Sequence, residues 1–167
     1  MLTLAQRQAL KAAIEADGAL SVLPHTQDNA FDISLIFGQL VTPDYLVWRT
    51  SVDTTEVMLN GFDWTRVDNL SIGKARIWEW MTQFGTFNPS KLNIRAGIDA
   101  TWVGTAADLA VRAVVYTHCN RNSRRIEKLF ATATAGGVGN RGTSANPDTM
   151  AYEGTISQQD VLDAWAS

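Results

Sequence analysis

Apolar residues near the start of the chain recur at the spacing of an amphipathic helix. Leu10 and Ile14 lie four residues apart, so a helix places both side chains on one face. Thr3 and Gln6 precede them with the spacing of a capping box, in which each side chain bonds a free backbone N–H at the helix start. Gly18 follows and is suited to ending a helix. The pattern predicts a first helix between Thr3 and Gly18.

The same signals predict helices along most of the chain. Capping residues, apolar positions three and four apart, and terminating glycines delimit these segments. The predicted helices cover residues 28–40, 53–61, 71–84, 88–104, 106–132 and 157–165. Residues 45–52 are rich in β-forming residues, but a short buried helix or an extended linker fits that stretch equally well. The pattern therefore indicates a mainly α protein with a little β.

A stretch of small and polar residues interrupts this helical pattern over residues 133–149. Its glycines are Gly136, Gly137, Gly139 and Gly142. A loop of this length in a compact domain is usually functional or disordered, so we expect a flexible loop that orders on docking to a partner. The predicted architecture is a single-domain helical bundle over residues 1–167, with this loop and a C-terminal segment over residues 150–167.

Composition narrows the class of protein further. Among the 167 residues, 46% are hydrophobic and 19% are charged, which argues against wholesale disorder. The net charge of −3 lacks the basic excess of a general nucleic-acid binder. One cysteine, Cys119, excludes an intramolecular disulfide. The start of the chain lacks the pattern of a signal peptide and no stretch is apolar enough to span a bilayer, so we expect no membrane association and synthesis in the cytoplasm.

Residues that carry chemistry do not form a recognisable catalytic, cofactor or metal motif. The run from Gly136 to Gly139 lacks the strand before it and the Lys and Ser or Thr after it that a phosphate-binding loop needs. His25, His118 and Cys119 are too few and too poorly spaced for a structural zinc site. The sequence predicts no cofactor, no metal and no enzyme, although carboxylates brought together only in space would escape this test.

A basic cluster is the most distinct charged feature. Its members, at helical spacings of three and four, are Arg121, Arg124, Arg125 and Lys128. On a continuous helix these residues form a positive stripe. The stripe is either solvated surface near a helix C-terminus, where cations suit the helix dipole, or a contact with an acidic partner or a nucleic-acid backbone.

Four segments of the chain resemble a known group of phage proteins. These are residues 2–17 (LTLAQRQALKAAIEAD), 47–52 (VWRTSV), 124–132 (RRIEKLFAT) and 152–157 (YEGTIS). Together they resemble a family of small proteins encoded in tailed phages and prophages, over nearly the whole chain. The resemblance implies a place among structural or morphogenesis proteins, but it carries no individual functional residue with it.

The leading hypothesis is therefore a virion structural protein at the head–tail junction. Such an adaptor or connector subunit would form a ring with copies of itself between portal and tail, and its surplus of aromatic residues would supply the interfaces. Its expected partners are itself, portal, tail or capsid proteins, and packaged DNA through backbone contacts; it would be assembled in the host cytoplasm and reside in the virion. The alternatives are a minor capsid, cement or tail-completion protein, a phage DNA-binding regulator, and an enzyme with a carboxylate site.

Overall fold

The computed structural model describes residues 1–132 and 141–167, and it is mainly α with a little β, which confirms the predicted fold class. Its helices are α1 (Leu4–Ala16), α2 (Gln27–Gly38), α3 (Thr54–Leu59), a 3₁₀ helix (Trp64–Asn69), α4 (Ile72–Thr82), α5 (Leu92–Thr101), α6 (Ala106–Cys119), α7 (Arg125–Leu129) and α8 (Gln158–Trp165). Its strands are β1 (Leu46–Trp48), β2 (Val52–Asp53), β3 (Thr86–Phe87), β4 (Asn120–Asn122), β5 (Ala131–Thr132) and β6 (Thr149–Met150). The strands are all short, so helices provide most of the framework.

The chain divides into two compact units, each with its own core. The first unit comprises Met1–Val47 and Asn122–Ser167, and the second comprises Trp48–Arg121. The second unit is thus inserted, along the sequence, between two parts of the first. The expectation of one domain spanning both units stays a prediction.

The first unit is built around α8, which packs against α1 and α2. The predicted capping box of α1 is present: the Thr3 backbone N–H donates to Gln6 Oε1 at 2.9 Å, and the Gln6 N–H donates to Thr3 Oγ1 at 3.3 Å. Leu10 and Ile14 are buried in the core, as their spacing predicts. Strands β5 and β6 pair antiparallel, with Ala131 opposite Met150. The buried apolar core residues are Leu2, Leu10, Ile14, Leu20, Ala30, Ile33, Phe37, Ile126, Phe130, Ile156, Val161 and Ala164.

The second unit is organised around a cluster of aromatic rings. The Phe62 ring stacks on Trp78 with 5.5 Å between centroids, and the Trp102 ring meets both edge-on. Edge-on and offset arrangements of this kind stabilise aromatic pairs beyond their buried area. Helix α4 packs against α5, and the antiparallel pair of β2 and β3 joins Val52 to Phe87. Part of the surplus of aromatic residues noted in the sequence is thus buried in this core.

The predicted helix over residues 106–132 is wrong, because the chain leaves the helix at Cys119. The Asn120 side-chain amide donates to the Tyr116 carbonyl at 2.7 Å and so occupies an acceptor in the last turn of α6. Further on, the Ser123 N–H donates to the Tyr45 carbonyl, and the Ser123 carbonyl accepts from the Val41 N–H. These bonds to a distant part of the chain hold the backbone out of the helical conformation until α7 begins.

Searching the described residues, 1–132 and 141–167, reveals no helix with the length and apolar character needed to cross a membrane.

Candidate partner-binding surfaces

The four cations of the predicted basic stripe do not lie on one helix. Arg121 lies in β4, in the second unit, and Arg124 is the residue that caps α7. Only Arg125 and Lys128 lie within α7, where their spacing of three puts them on one side of the helix. The stripe therefore does not exist as one helical face, since its prediction assumed the continuous helix that ends at Cys119.

Arg124 and Glu127 form hydrogen bonds that stabilise the fold of the first unit. The Arg124 guanidinium donates to the Gly38 carbonyl at 2.6 Å, and its backbone N–H donates to Glu127 Oε2 at 2.7 Å. Glu127 is fully buried, and its other carboxylate oxygen accepts from the Gly154 N–H at 2.9 Å. A buried carboxylate needs such donors to offset its lost hydration. These two residues therefore join α2, α7 and the segment before α8.

Arg125 and Lys128 border a cleft in the first unit. Both side chains are exposed, and the cleft has a volume of about 520 Å³. The residues that line it come from α1, α2, the segment after α2, and α7: Ala13, Asp17, Phe37, Val41, Thr42, Arg125, Lys128 and Leu129. Sequence spacing revealed the two cations. It gave no sign of the apolar floor, which is assembled from residues far apart in the chain.

Gly142 lies in an ordered turn, and the other predicted loop glycines, Gly136, Gly137 and Gly139, lie outside the described residues. The Gly142 carbonyl accepts from the Leu46 N–H at 2.6 Å, and its φ angle is +74°. A Cβ atom at this position would lie 2.3 Å from the Tyr45 ring. Gly142 is therefore required for close packing of this turn. A role for the loop in docking stays a prediction.

Asp148 anchors the same turn from the inside of the first unit. Its buried carboxylate accepts hydrogen bonds from the Tyr45 hydroxyl, from Arg141 Nε at 2.8 Å, and from the Thr149 N–H at 2.8 Å. Burial, together with the bond to Asp148, raises the pKa of Tyr45 to about 12. Sequence reasoning missed this cluster, because Tyr45 and Asp148 are brought together only by the fold.

An exposed aromatic surface lies on the second unit. Trp80 and Phe84 are four residues apart, at and just beyond the end of α4, and are 62% and 78% exposed. They border a groove of about 430 Å³ that Ile77, Met81 and Ile94 also line. We call Trp80, Phe84 and this groove the α4 aromatic surface. Large apolar side chains grouped in this way mark interaction sites more often than scattered single ones do.

The second unit also contains a cluster of ionisable side chains around Glu56. Arg49 donates to Glu56 Oε1 at 2.6 Å, and His118 Nδ1 lies 3.4 Å from the same oxygen. His118 Nε2 lies 3.2 Å from the Asn60 carbonyl oxygen, so both ring nitrogens face partners within the unit. Burial raises the pKa of the neighbouring Cys119 thiol to about 12, which leaves it a poor nucleophile near neutral pH. This cluster ties α3 to α6.

No group of three or more His, Cys, Asp and Glu residues that could hold a metal ion occurs in the part of the chain that the structure describes.

Comparisons with models of protein families, with curated proteins and with solved structures found no match to this chain.

Proposed function

We propose that this protein is a structural subunit of a tailed-phage particle, an adaptor or connector that forms a ring at the head–tail junction. The phage context comes from the resemblance of four sequence segments to small phage and prophage proteins. The α4 aromatic surface supports a subunit that binds copies of itself. Exposed aromatic side chains bind by packing against a partner, and contacts of this kind suit a protein that functions by assembly.

The observation that carries the proposal is the exposure of Trp80 and Phe84. Burying an aromatic side chain at an interface removes a large apolar area from water, roughly 150–250 Å² for each ring. At about 25 cal/mol per Å², two such rings would contribute several kcal/mol before the costs of association. In a ring, this surface would meet a different surface of the next copy, which is the heterologous arrangement that closed rings use.

The direct test is the mass of the purified full chain, alone and mixed with the portal protein of the same phage. We expect an assembly many times the mass of one chain, formed with portal if not without it. The double substitution Trp80→Ser and Phe84→Ser should reduce that assembly to single chains. Val22→Ser provides the control, because Val22 is a 76% exposed apolar residue of the first unit and should be dispensable.

Two results would contradict the proposal. One is a chain that stays monomeric both alone and with portal. The other is a purified virion from which this polypeptide is missing. If the variant with Trp80→Ser and Phe84→Ser still assembles, the structural role stands, but the α4 aromatic surface is not the contact between copies.

A further inference from the structure

The cleft beside α7 presents positive charge that the chain does not neutralise. Neither Arg125 nor Lys128 has an ion-pair partner among residues 1–132 and 141–167, whereas Arg7 and Arg141 in the same unit pair with Asp163 and Asp148. Lys128 Nζ lies 5.0 Å from the centre of the Tyr45 ring, a cation–π contact that orients the ammonium without cancelling its charge. These two cations are therefore available to a partner.

The one carboxylate among the described residues that line the cleft, Asp17, forms no ion pair with Arg125 or Lys128. Asp17 Oδ1 accepts hydrogen bonds from the backbone N–H groups of Ala19 at 3.0 Å and of Leu20 at 3.3 Å. This carboxylate thus caps the turn that follows α1. The cleft combines a positive rim on α7 with an apolar interior formed by Phe37, Val41 and Leu129.

We propose that this cleft binds a segment of a partner protein in which a carboxylate side chain lies next to a large apolar side chain. The carboxylate would bond to Arg125 and Lys128, and the apolar side chain would enter between α2 and α7. The inference rests on the proposed function only in taking the partner to be a neighbouring protein of the particle. It uses the first unit, and the ring contact proposed above uses the α4 aromatic surface of the second.

The apolar interior favours a peptide over a nucleic acid as occupant. A nucleic-acid backbone is bound by a track of cations that neutralise successive phosphates, and it leaves an apolar floor unused. Two cations on one short helix match one or two carboxylates. The volume of about 520 Å³ falls within the range of roughly 300–1,000 Å³ that is usual for ligand sites, which is enough for one or two apolar side chains.

The test is fluorescence anisotropy of the full chain with a short fluorescein-labelled peptide in which Glu and Asp alternate with Phe and Leu. The comparison probes are the same peptide with Gln and Asn in place of the acids, and a short DNA duplex carrying the same dye. The test variant is Arg125→Glu with Lys128→Glu, two exposed positions where reversal leaves the core intact. The matched control is Arg76→Glu with Lys91→Glu, two exposed cations of the second unit, which changes the net charge by the same amount.

We expect the acidic peptide to bind wild type and the control variant alike. Loss of the carboxylates, or reversal of Arg125 and Lys128, should weaken binding on the order of tenfold or more, because the charge pairs are lost and reversal adds repulsion. Amide chemical shifts of Phe37 and Val41 should move with the acidic peptide.

The proposal is overturned if the acidic peptide does not bind, if the double charge reversal binds it as wild type does, or if the DNA duplex binds more tightly than the peptide. None of these results bears on the mass of the assembly, so failure here can be told apart from failure of the adaptor role.

Discussion

The Asp108 carboxylate accepts hydrogen bonds from two partners at the start of α6. Protonation of this carboxylate would weaken both bonds, so their contribution to stability depends on pH. The carboxylate accepts from Arg66 Nη2 at 2.7 Å and from the Thr105 N–H at 3.0 Å, and the second bond completes a capping box at the start of α6. The bonds from Arg66 and then from Thr105 lower the pKa of Asp108 to about 2. The capping half of this arrangement was readable from spacing, whereas Arg66 lies 42 residues away along the chain.

Lowering the pH should therefore reduce the stability of the fold, because Asp108 becomes protonated. Because the pKa is lowered in the folded state, this contribution to stability is complete above the unfolded value of about 3.9 and is lost as pH falls towards about 2. We expect Asp108→Asn to lower the melting temperature near pH 7 and to match wild type near pH 2. Melting curves across this range measure the effect.

Asp32→Asn is the control for that experiment, because Asp32 is an exposed carboxylate of α2 and its substitution removes one negative charge without touching α6. A difference between Asp108→Asn and wild type that stays constant down to pH 2 would argue against the ion pair as its source.

At the level of elements, the sequence revealed helices well wherever their ends depend on neighbouring residues. The caps at Thr3, Thr105 and Ser157 each accept the backbone N–H three residues on, as their spacing predicts. Asp53 and Glu56 also have the spacing of a capping box, yet the Glu56 carboxylate is bonded to Arg49. The local sequence pattern therefore predicts where a helix begins better than it predicts which residue a given side chain bonds to.

The break between α6 and α7 marks the limit of that reasoning. Residues 120–124 are all polar, but apolar residues at helical spacing resume at Ile126 and Leu129, and this pattern extended the predicted helix across the gap. What ends it is hydrogen bonding of Ser123 to Val41 and Tyr45, residues that lie about half the chain away. Such bonds leave no periodic signal. As a result, the basic residues were wrongly predicted to share one helical face, and the floor of the cleft was missed.

The turn around Gly142 provides a test at the scale of an element. Gly142→Ala should destabilise the chain by more than about 1 kcal/mol, because the residue has a positive φ and its new methyl group would collide with the Tyr45 ring. Gly18→Ala is the matched control, since nothing lies within 4 Å of a Cβ at that position. Chemical denaturation of both variants measures the difference.

Equal stability of the two glycine variants would contradict the packing of this turn against Tyr45. It would instead agree with the expectation that residues 141–149 belong to a flexible loop.

At the scale of the whole molecule, the two proposed surfaces differ in the force that makes them bind. The α4 aromatic surface would act through burial of apolar area, whereas the cleft beside α7 would combine charge with an apolar interior. The net charge of −3 is small, so general repulsion between copies should hardly oppose association through the aromatic surface.

The response to added salts should therefore distinguish the two proposed contacts. Raising sodium chloride shortens the Debye length from about 10 Å at 0.1 M to about 3 Å at 1 M, so binding of the acidic peptide should weaken. Sulfate strengthens apolar burial, so self-association through Trp80 and Phe84 should grow when sulfate is added. Anisotropy for the first and sedimentation velocity for the second would measure both responses on the same preparation. Self-association that falls steadily with added sodium chloride would instead indicate that charged contacts hold the copies together, because an aromatic interface has no charge for salt to screen.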